Sequence, residues 1–316
     1  MREDVSLFKY ELALVLVMKN AAPYMKEWID YHQLAGVDHF YIYDNDSTDN
    51  LKEVLQPYIA SGVVDYTPFP GKRPQCAGFD DAVKKYRFEC RYMCFIDDDE
   101  FIRPMDENKS IKDVLHEILD GNPNAVGLTL DRYDFGSNEH ETADYNTPVI
   151  ERFVRRGKNM ILGKNIGNPR VIEFIENMHY LNYFDGKFAI NPRGELNAFI
   201  QFMGQNYHRV APVADKIFMN HYGMKSREEW QNKINRGDGF FVDNPRNMKA
   251  FDDMNKTANE VFDDGIIAYR DARAKHRGGE RKYTVDVQPP VSIDDSEINT
   301  GHVAGHSAEH FCRQAA

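Results

Sequence analysis

The sequence predicts an α/β fold in which a mostly parallel sheet is flanked by helices on both faces. Strand and helix patterns alternate along the chain from Leu12 to Leu130, which is the order that βαβ units produce. Leu12–Met18 is an uninterrupted apolar run, as expected of a parallel strand buried on both faces. Polar clusters follow two of the strands, at Asp44 and at Asp97, and sheets of this class bind ligands beyond the carboxyl ends of their strands.

The first part of the chain contains strand-sized apolar segments separated by helical patterns. The predicted strands are Leu12–Met18, Phe40–Tyr43, Val63–Tyr66, Tyr92–Ile96 and Ala125–Leu130. Pro23 suits the first position of a helix that Gly36 ends, and Pro57 is expected to shorten a second helix that begins at Leu51. A third helix is predicted over Phe79–Tyr86, and Ser110 with Asp113 forms a capping box that begins a fourth.

Beyond Asp131 the pattern becomes less regular. Val149–Val154 and Val171–Ile175 are predicted as strands. Ser226 and Glu229 form a second capping box, which predicts a helix that ends at Gly237, and Ala258–Ala274 is a further helical candidate. We expect a single domain over residues 1–284, with halves at 10–131 and 132–284, and a flexible tail at 285–316.

Composition excludes several classes of protein. The chain has 316 residues, of which 42% are hydrophobic and 28% charged, with a net charge of −11, so it is globular and disfavours nucleic acid or anionic membranes as partners. No apolar run reaches the roughly 18 residues that span a bilayer, and no signal peptide is recognised. The cysteines, which are Cys76, Cys90, Cys94 and Cys312, form no Cys-x-x-Cys pair. Free thiols and a cytoplasmic location are therefore expected.

Two acidic clusters are candidate sites. Asp97-Asp98-Asp99-Glu100 follows an apolar strand, and in an extended backbone Asp97 and Asp99 would face one side, where they could hold a divalent cation. A solvated acidic loop is the alternative interpretation. The segment Asp44–Asp49 could contact a nucleoside and precedes a helix N-terminus that could face phosphate, or its side chains could simply cap the helix.

Five segments in order resemble the motifs of glycosyltransferase family 92. They are Asn20–His32, Gly36–Asp49, Phe95–Phe101, Phe135–Asn138 and Asn220–Ser226. The resemblance spans about Leu12 to Asp271 and implies a GT-A fold, in which a nucleotide-binding half with a mostly parallel sheet is joined to a smaller acceptor-binding part. Such enzymes transfer a sugar from a nucleotide-sugar donor.

The resemblance also implies roles for individual residues. Asp97 and Asp99 match the Asp-x-Asp motif that holds Mn²⁺ or Mg²⁺, and His221 matches a late histidine that completes the metal shell. Asp98, the middle residue of the motif, and Lys225 are expected to bind the nucleotide-sugar, with Lys225 near the diphosphate.

The nucleoside is expected near the ends of the first two strands. By the resemblance, Asp44 and Asp46 would contact uridine or ribose, and Asn20 lies beside them. The family usually has Glu where this chain has Ala21, which is a departure in the nucleotide contact.

A catalytic base is needed to accept the proton of the acceptor hydroxyl if the sugar is transferred with inversion. The candidates are Glu139, His179 and Asp185, and the sequence does not rank them. The leading hypothesis is a metal-dependent inverting transfer of a hexose, with galactose as the family-based expectation, from a UDP-sugar to a glycan or glycoconjugate. A metal-dependent phosphohydrolase and an inactive carbohydrate-binding protein are the alternatives.

Overall fold

The computed structural model describes residues 7–122, 124–196, 199–202, 205–208, 211–241 and 244–277. The predicted tail at 285–316 and Cys312 lie outside these residues. In the described part of the chain, no helix is both long and apolar enough to cross a membrane.

The strands form one large sheet and three two-stranded pairs. In chain order they are β1 Tyr10–Met18, β2 His39–Asp44, β3 Val64–Pro68, β4 Cys90–Phe95, β5 Glu100–Pro104, β6 Ala125–Asp134, β7 Arg155–Arg156, β8 Ile161–Gly167, β9 Ile172–Asn177, β10 Tyr180–Tyr183, β11 Phe188–Ile190, β12 Phe199–Phe202, β13 Gln205–His208, β14 Ile217–His221 and β15 Val261–Phe262.

The helices connect these strands and pack on the large sheet. They are α1 Ala22–Ala35, α2 Leu51–Ala60, α3 Pro74–Tyr86, α4 Ile111–Leu119, α5 Val149–Arg152, α6 Arg227–Arg236, α7 Met248–Asn255 and α8 Gly265–His276. Short 3₁₀ turns occur at Pro169–Val171 and Phe184–Gly186.

The large sheet has the order β3-β2-β1-β4-β8-β6-β14-β5, with β11 paired to β6. Within it only β8 and β5 run against the common direction. The predicted α/β fold with a mostly parallel sheet flanked by helices is confirmed. Strands from both predicted halves join this one sheet, so the carboxyl ends of β1, β2, β4, β6 and β14 meet at a single edge.

Both faces of the sheet are covered, as predicted from the apolar run of β1. Leu12, Leu14 and Leu16 point into a core that includes Trp28 of α1 and Leu115 of α4. The intervening Ala13 and Val15 point into a second core that includes Phe79 of α3 and Ile172 of β9. Alternate side chains of one strand thus hold helices on opposite faces.

The observed helix ends agree with the predictions that were based on capping residues. Gly36 ends α1 with φ of 107°, a left-handed conformation that glycine adopts without strain. Ser110 and Ser226 cap α4 and α6 through the expected capping boxes. Pro57 does not shorten α2, which continues through it to Ala60.

Two segments of the second half differ from their predictions. Val149–Arg152 is a short helix instead of a strand, because the buried Glu27 carboxylate accepts hydrogen bonds from the Val149 and Ile150 amides at 2.7 and 3.1 Å. The predicted helix Ala258–Ala274 begins only at Gly265, since Val261–Phe262 pairs with β7. The strands β7, β8 and β10–β15 and the helix α7 of the second half were not predicted, and neither was β5 of the first half.

A close contact between β6 and β8 leads to the first prediction. A Cβ atom at Gly163 would lie 1.8 Å from the Leu130 carbonyl oxygen. Gly163→Ala should therefore lower the free energy of unfolding by about 2 kcal/mol, a usual cost of overpacking. Urea denaturation measures the change. Gly121→Ala is the matched control, because a Cβ there meets nothing within 4 Å; an equal loss in both variants would contradict the steric explanation.

A buried histidine should make stability depend on pH. His32 is fully buried between α1 and β5, where Nδ1 donates to the Trp28 carbonyl at 2.8 Å and Nε2 accepts from the Ile102 amide at 3.3 Å. Burial lowers the pKa of His32 to about 3. Because the imidazole must stay neutral in the folded chain but gains a proton in the unfolded chain, its contribution is complete above about pH 6.5 and is lost as the pH falls toward 3.

The wild type should lose about 2 kcal/mol more stability than His32→Gln between about pH 7.5 and pH 5. Urea unfolding at the two pH values measures this difference. His276→Gln, at an exposed position, should show the same pH dependence as the wild type. Equal pH dependence in the wild type and His32→Gln would rule out His32 as the cause.

Candidate active site

The acidic cluster after β4 is a turn and not an extended segment. The Glu100 amide donates to the Asp97 carbonyl at 3.1 Å, and the Asp97 amide donates to Glu100 Oε2 at 2.9 Å. Because of this turn Asp97, Asp98 and Asp99 all line one cavity of about 330 Å³, here called the first cavity. The expected alternation of Asp98 away from its neighbours is wrong, and only Glu100 points elsewhere, toward Arg132 at 3.0 Å.

Asp97 is held by two side chains from other elements. Its carboxylate accepts from Lys164 Nζ of β8 at 2.9 Å and from Gln75 Nε2 of α3 at 2.6 Å. Burial would raise the pKa of Asp97, but the Lys164 ammonium holds it below its usual value. Lys164 Nζ also lies 3.7 Å from Glu100, whose pKa is raised by burial. Lys164 therefore neutralises two buried carboxylates.

Asp99 and His221 lie together at the same edge of the sheet. Asp99 accepts a hydrogen bond from Lys233 Nζ, and its other oxygen is 3.5 Å from His221 Nε2. His221 Nδ1 lies 2.6 Å from Asp134 Oδ1, at the end of β6. Burial would raise the pKa of Asp99, but Lys233 and His221 hold it well below its usual value.

The environment of His221 favours its charged form. Burial and Arg132 lower the pKa of His221, but Asp134 and Asp99 together raise it above the ordinary value. Pairing of β14 with β5 and β6 places His221 opposite Glu100 and Asp134. The resemblance implied that Asp99 and His221 belong to one metal site, and the pairing of the strands brings them into contact.

Asp98 has an oxygen without a partner. Its Oδ2 is buried and makes no hydrogen bond, and the cation nearest to it in the described ion pairs is Arg236, at 3.9 Å. Asp98 lines the first cavity and also a neighbouring cavity of about 540 Å³, here called the second cavity. A buried acceptor without a donor points to a bound group at this boundary.

A cationic wall faces these carboxylates. Trp230, Lys233 and Arg236 of α6 all line the first cavity, because residues three apart share a helix face. The capping box at Ser226 predicted this helix. The three-residue spacing of Trp230, Lys233 and Arg236 could therefore have indicated that they share one face, and the sequence analysis missed this. Lys164 and Gln75 were also missed, and a lone lysine in a strand gives no such signal.

The loop after β2 uses most of its polar side chains to hold its own shape. Asp44 accepts from the Ser47 amide at 3.0 Å and from the Tyr66 hydroxyl at 2.5 Å. Asn20 Oδ1 accepts from the Thr48 amide at 2.7 Å. Asp46 is exposed. Of the residues expected to contact the nucleoside, Asn20 lines the second cavity and neither aspartate lines either cavity.

Lys225 reaches the second cavity from the residue before the cap of α6. Only 2% of its surface is exposed, its Nζ lies 4.2 Å from the ring centre of Tyr24, and its backbone has φ of 54°. The second cavity shares Asp98, Lys233 and Arg236 with the first. The two cavities are therefore neighbours with a common wall.

The three candidate bases do not lie together. Glu139 and Asp185 are exposed and line neither cavity. His179 follows Met178, which lines the first cavity, and its Nδ1 is 2.9 Å from the Gly163 carbonyl oxygen. Burial, with Lys164 nearby, lowers the pKa of His179 to about 4, so the imidazole is neutral at pH 7.

The donor types at the first cavity fit a divalent cation. Asp97 and Asp99 offer carboxylate oxygens and His221 an imidazole nitrogen, a set suited to Mn²⁺ more than to Mg²⁺. The unpartnered Asp98 Oδ2 adds a further buried acceptor. Lysines fix the positions of Asp97 and Asp99, and among the described residues no three His, Cys, Asp or Glu side chains are already spaced as a coordination shell.

Comparison with known proteins identifies the family. A model described as Glycosyltransferase family 92 matches residues 17–256. This chain belongs to glycosyltransferase family 92. It is 35% identical over 200 residues to a family 92 protein of Oryza sativa subsp. japonica, covering 58% of this chain and 33% of that protein. It is 24% identical over 242 residues to one of Ricinus communis, covering 72% of this chain and 41% of that protein. The family 92 chain thus spans less than half the length of these relatives.

Solved structures give weaker likenesses. One is S. aureus TarS 1-349 in complex with UDP, with 13% identity and a TM-score of 0.36 over 50% of this chain and 47% of that chain. Another is glucosyl-3-phosphoglycerate synthase from Mycobacterium tuberculosis in complex with Mn²⁺, UDP and phosphoglyceric acid, with 16% identity and a TM-score of 0.31 over 52% and 57% of the two chains. The family assignment therefore rests on the sequence comparisons.

The ion pairs around Asp97 lead to a prediction for this family 92 protein. Lys164→Met should lower the free energy of unfolding by about 3 kcal/mol or more, because Asp97 and Glu100 would lose a shared buried cation. Urea denaturation at neutral pH measures it. Lys249→Met is the matched control, since Lys249 is exposed and pairs only with Asp253 at the surface. If both variants had similar stability, Lys164 would not have the role assigned to it.

Proposed function

We propose that this family 92 chain transfers a hexose from a UDP-sugar to a hydroxyl group of a glycan or glycoconjugate, with galactose as the first sugar to test. The observation that carries the proposal is the first cavity. Three aspartates and His221 line one side of it and Lys233 and Arg236 line another. A site with both signs of charge suits a diphosphate that is bound together with a cation.

The cations of the chain would bind the diphosphate directly. Lys233 and Arg236 border both cavities, and Lys225 lines the second. Because the protein carries a net charge of −11, its long-range field opposes an anionic donor. Local cations that are largely shielded from solvent are therefore needed to hold the donor, and Lys233 and Arg236, which line the first cavity, are placed to do so.

A divalent cation, Mn²⁺ or Mg²⁺, would be held by Asp97, Asp99 and His221 and would stabilise the charge that develops on the departing UDP. The contact of His221 with Asp134 orients the imidazole, as partners of metal-binding histidines do.

The transfer proceeds by direct displacement in this proposal. The acceptor oxygen forms a bond to the anomeric carbon while the bond from that carbon to the phosphate oxygen breaks, and the electron pair leaves with UDP. The acceptor proton passes to a general base. Among the three candidates, His179 is the one whose neighbour in the sequence, Met178, lines the first cavity. Its neutral imidazole can accept a proton. Glu139 and Asp185 are exposed. A cytoplasmic location is proposed together with this activity.

The first test is thermal stability with UDP, GDP or CMP, each with and without Mn²⁺. A nucleotide at about 100 times its dissociation constant adds roughly 2.7 kcal/mol to the free energy of unfolding. We expect a rise in melting temperature with UDP that requires Mn²⁺. No shift with any nucleotide would favour the carbohydrate-binding alternative, and turnover of phosphate esters without an acceptor would favour a phosphohydrolase.

The second test is Asp99→Asn. The change keeps the side-chain size but removes the charge, so sugar transfer should fall by about 100-fold or more, and the UDP shift should lose its dependence on Mn²⁺. Transfer is measured by release of UDP with a panel of UDP-hexoses. Asp253→Asn, at an exposed position on α7, should keep full activity. An unchanged rate in Asp99→Asn would remove Asp99 from the reaction.

A further inference from the structure

The second cavity is built differently from the first. Two aromatic rings line it, Tyr24 and Tyr145, whose centroids are 6.0 Å apart at an interplanar angle of 62°. Its other lining residues include the amide and hydroxyl side chains Asn20, Thr48, Asn232 and Asn235. Its volume of about 540 Å³ falls within the usual range for small-ligand sites.

We propose that the second cavity is the acceptor subsite and that it binds a neutral sugar unit of the acceptor glycan. The proposal rests on the function proposed above. A sugar presents C–H groups that pack on aromatic faces and hydroxyls that pair with amides, which both donate and accept hydrogen bonds. The tyrosines and amides of this cavity supply both kinds of contact.

The charges in the wall favour a neutral ligand. The lining residues include three basic side chains, Lys225, Lys233 and Arg236, and three acidic ones, Asp49, Asp98 and Glu229. Since the two signs balance, the wall as a whole gives no net attraction to an anionic or cationic ligand. Hydrogen bonding and packing are left as the basis of recognition.

Two charged groups at this cavity, Asp98 Oδ2 and Lys225 Nζ, have no hydrogen-bond partner within the described residues. Asp98 Oδ2 makes no hydrogen bond. Lys225 makes no ion pair or hydrogen bond within the described part of the chain, although it is 98% buried and lies over the Tyr24 ring. Both groups are therefore able to form a hydrogen bond with a ligand in the cavity. Hydroxyl oxygens of a sugar would accept from Lys225, and a sugar hydroxyl would donate to Asp98.

The common wall places this subsite where an acceptor must lie. Asp98, Lys233 and Arg236 border both cavities, so a ligand in the second cavity reaches the group that the first cavity holds. Reaction requires the acceptor oxygen to come within about 3.5 Å of the anomeric carbon. Asp185, one of the candidate bases, is exposed and lies outside both cavities.

The experiment is saturation-transfer NMR on the full chain with four probes: methyl β-galactoside, methyl β-glucoside, methyl α-mannoside and methyl N-acetyl-β-glucosaminide. At least one should bind the wild type, and UDP should not displace it. Tyr145→Ala and Asn232→Ala should each weaken that binding by about fivefold or more, the equivalent of one aromatic or hydrogen-bonded contact.

Two variants test whether a loss of binding reflects unfolding or the loss of any aromatic ring. Asn232 is an exposed residue of α6, where alanine has the higher helix propensity, so loss of binding there does not reflect unfolding. Phe88→Ala removes an aromatic ring that is 75% exposed and lines neither cavity, and it should bind as the wild type does.

Three results would overturn the acceptor subsite: no probe binds, UDP displaces the probe, or binding persists in both cavity variants. The UDP thermal shift is read on the same protein and tests the proposed function separately. A probe that binds through Tyr145 while no nucleotide binds would keep the sugar subsite and reject the transfer reaction.

Discussion

The structure depends on how four consecutive acidic residues after β4 are neutralised. Removing carboxylates from water costs several kcal/mol each unless cations are near, and Asp99 and Glu100 are almost fully buried. The neutralising cations come from distant elements: Arg132 from β6, Lys164 from β8 and Lys233 from α6. The second half of the chain must therefore fold onto the first before this strand end is stable, which explains why one sheet takes strands from both halves.

The same network holds the carboxylates in place and places cations at the walls of both cavities. Lys164 is fully buried beneath Asp97 and Glu100, where it has a structural role. Lys233 and Arg236 extend from a helix into both cavities, where they can exchange a carboxylate for a phosphate oxygen. Carboxylates held in place beside cations that line the cavities are what a site that binds a charged ligand needs.

The sequence predicted what short-range physics determines. The uninterrupted apolar run of β1 predicted a strand buried on both faces, and the capping boxes at Ser110 and Ser226 located two helix starts. Tertiary contacts decided the failures: Glu27 makes a helical turn of Val149–Arg152, and a hydrogen-bonded turn brings Asp98 to the same side as Asp97. For the site, adjacent motif residues were predictable, whereas Lys164 was not, because nothing near it in the chain signals a distant carboxylate. The sequence around Asp44 was compatible both with helix capping and with ligand binding, so it did not decide between the two.

The shared wall limits which substitutions can separate donor from acceptor. Asp98, Lys233 and Arg236 border both cavities, so changes there should couple the two ligands, because neighbouring residues in one charge network are not additive. Gln75 lines only the first cavity and Tyr145 only the second. Gln75 donates to Asp97, so its loss disturbs the carboxylates, whereas Tyr145 lies outside their hydrogen-bond network. Tyr145 is consequently the position at which the acceptor side can be changed while the charges that hold the donor stay in place.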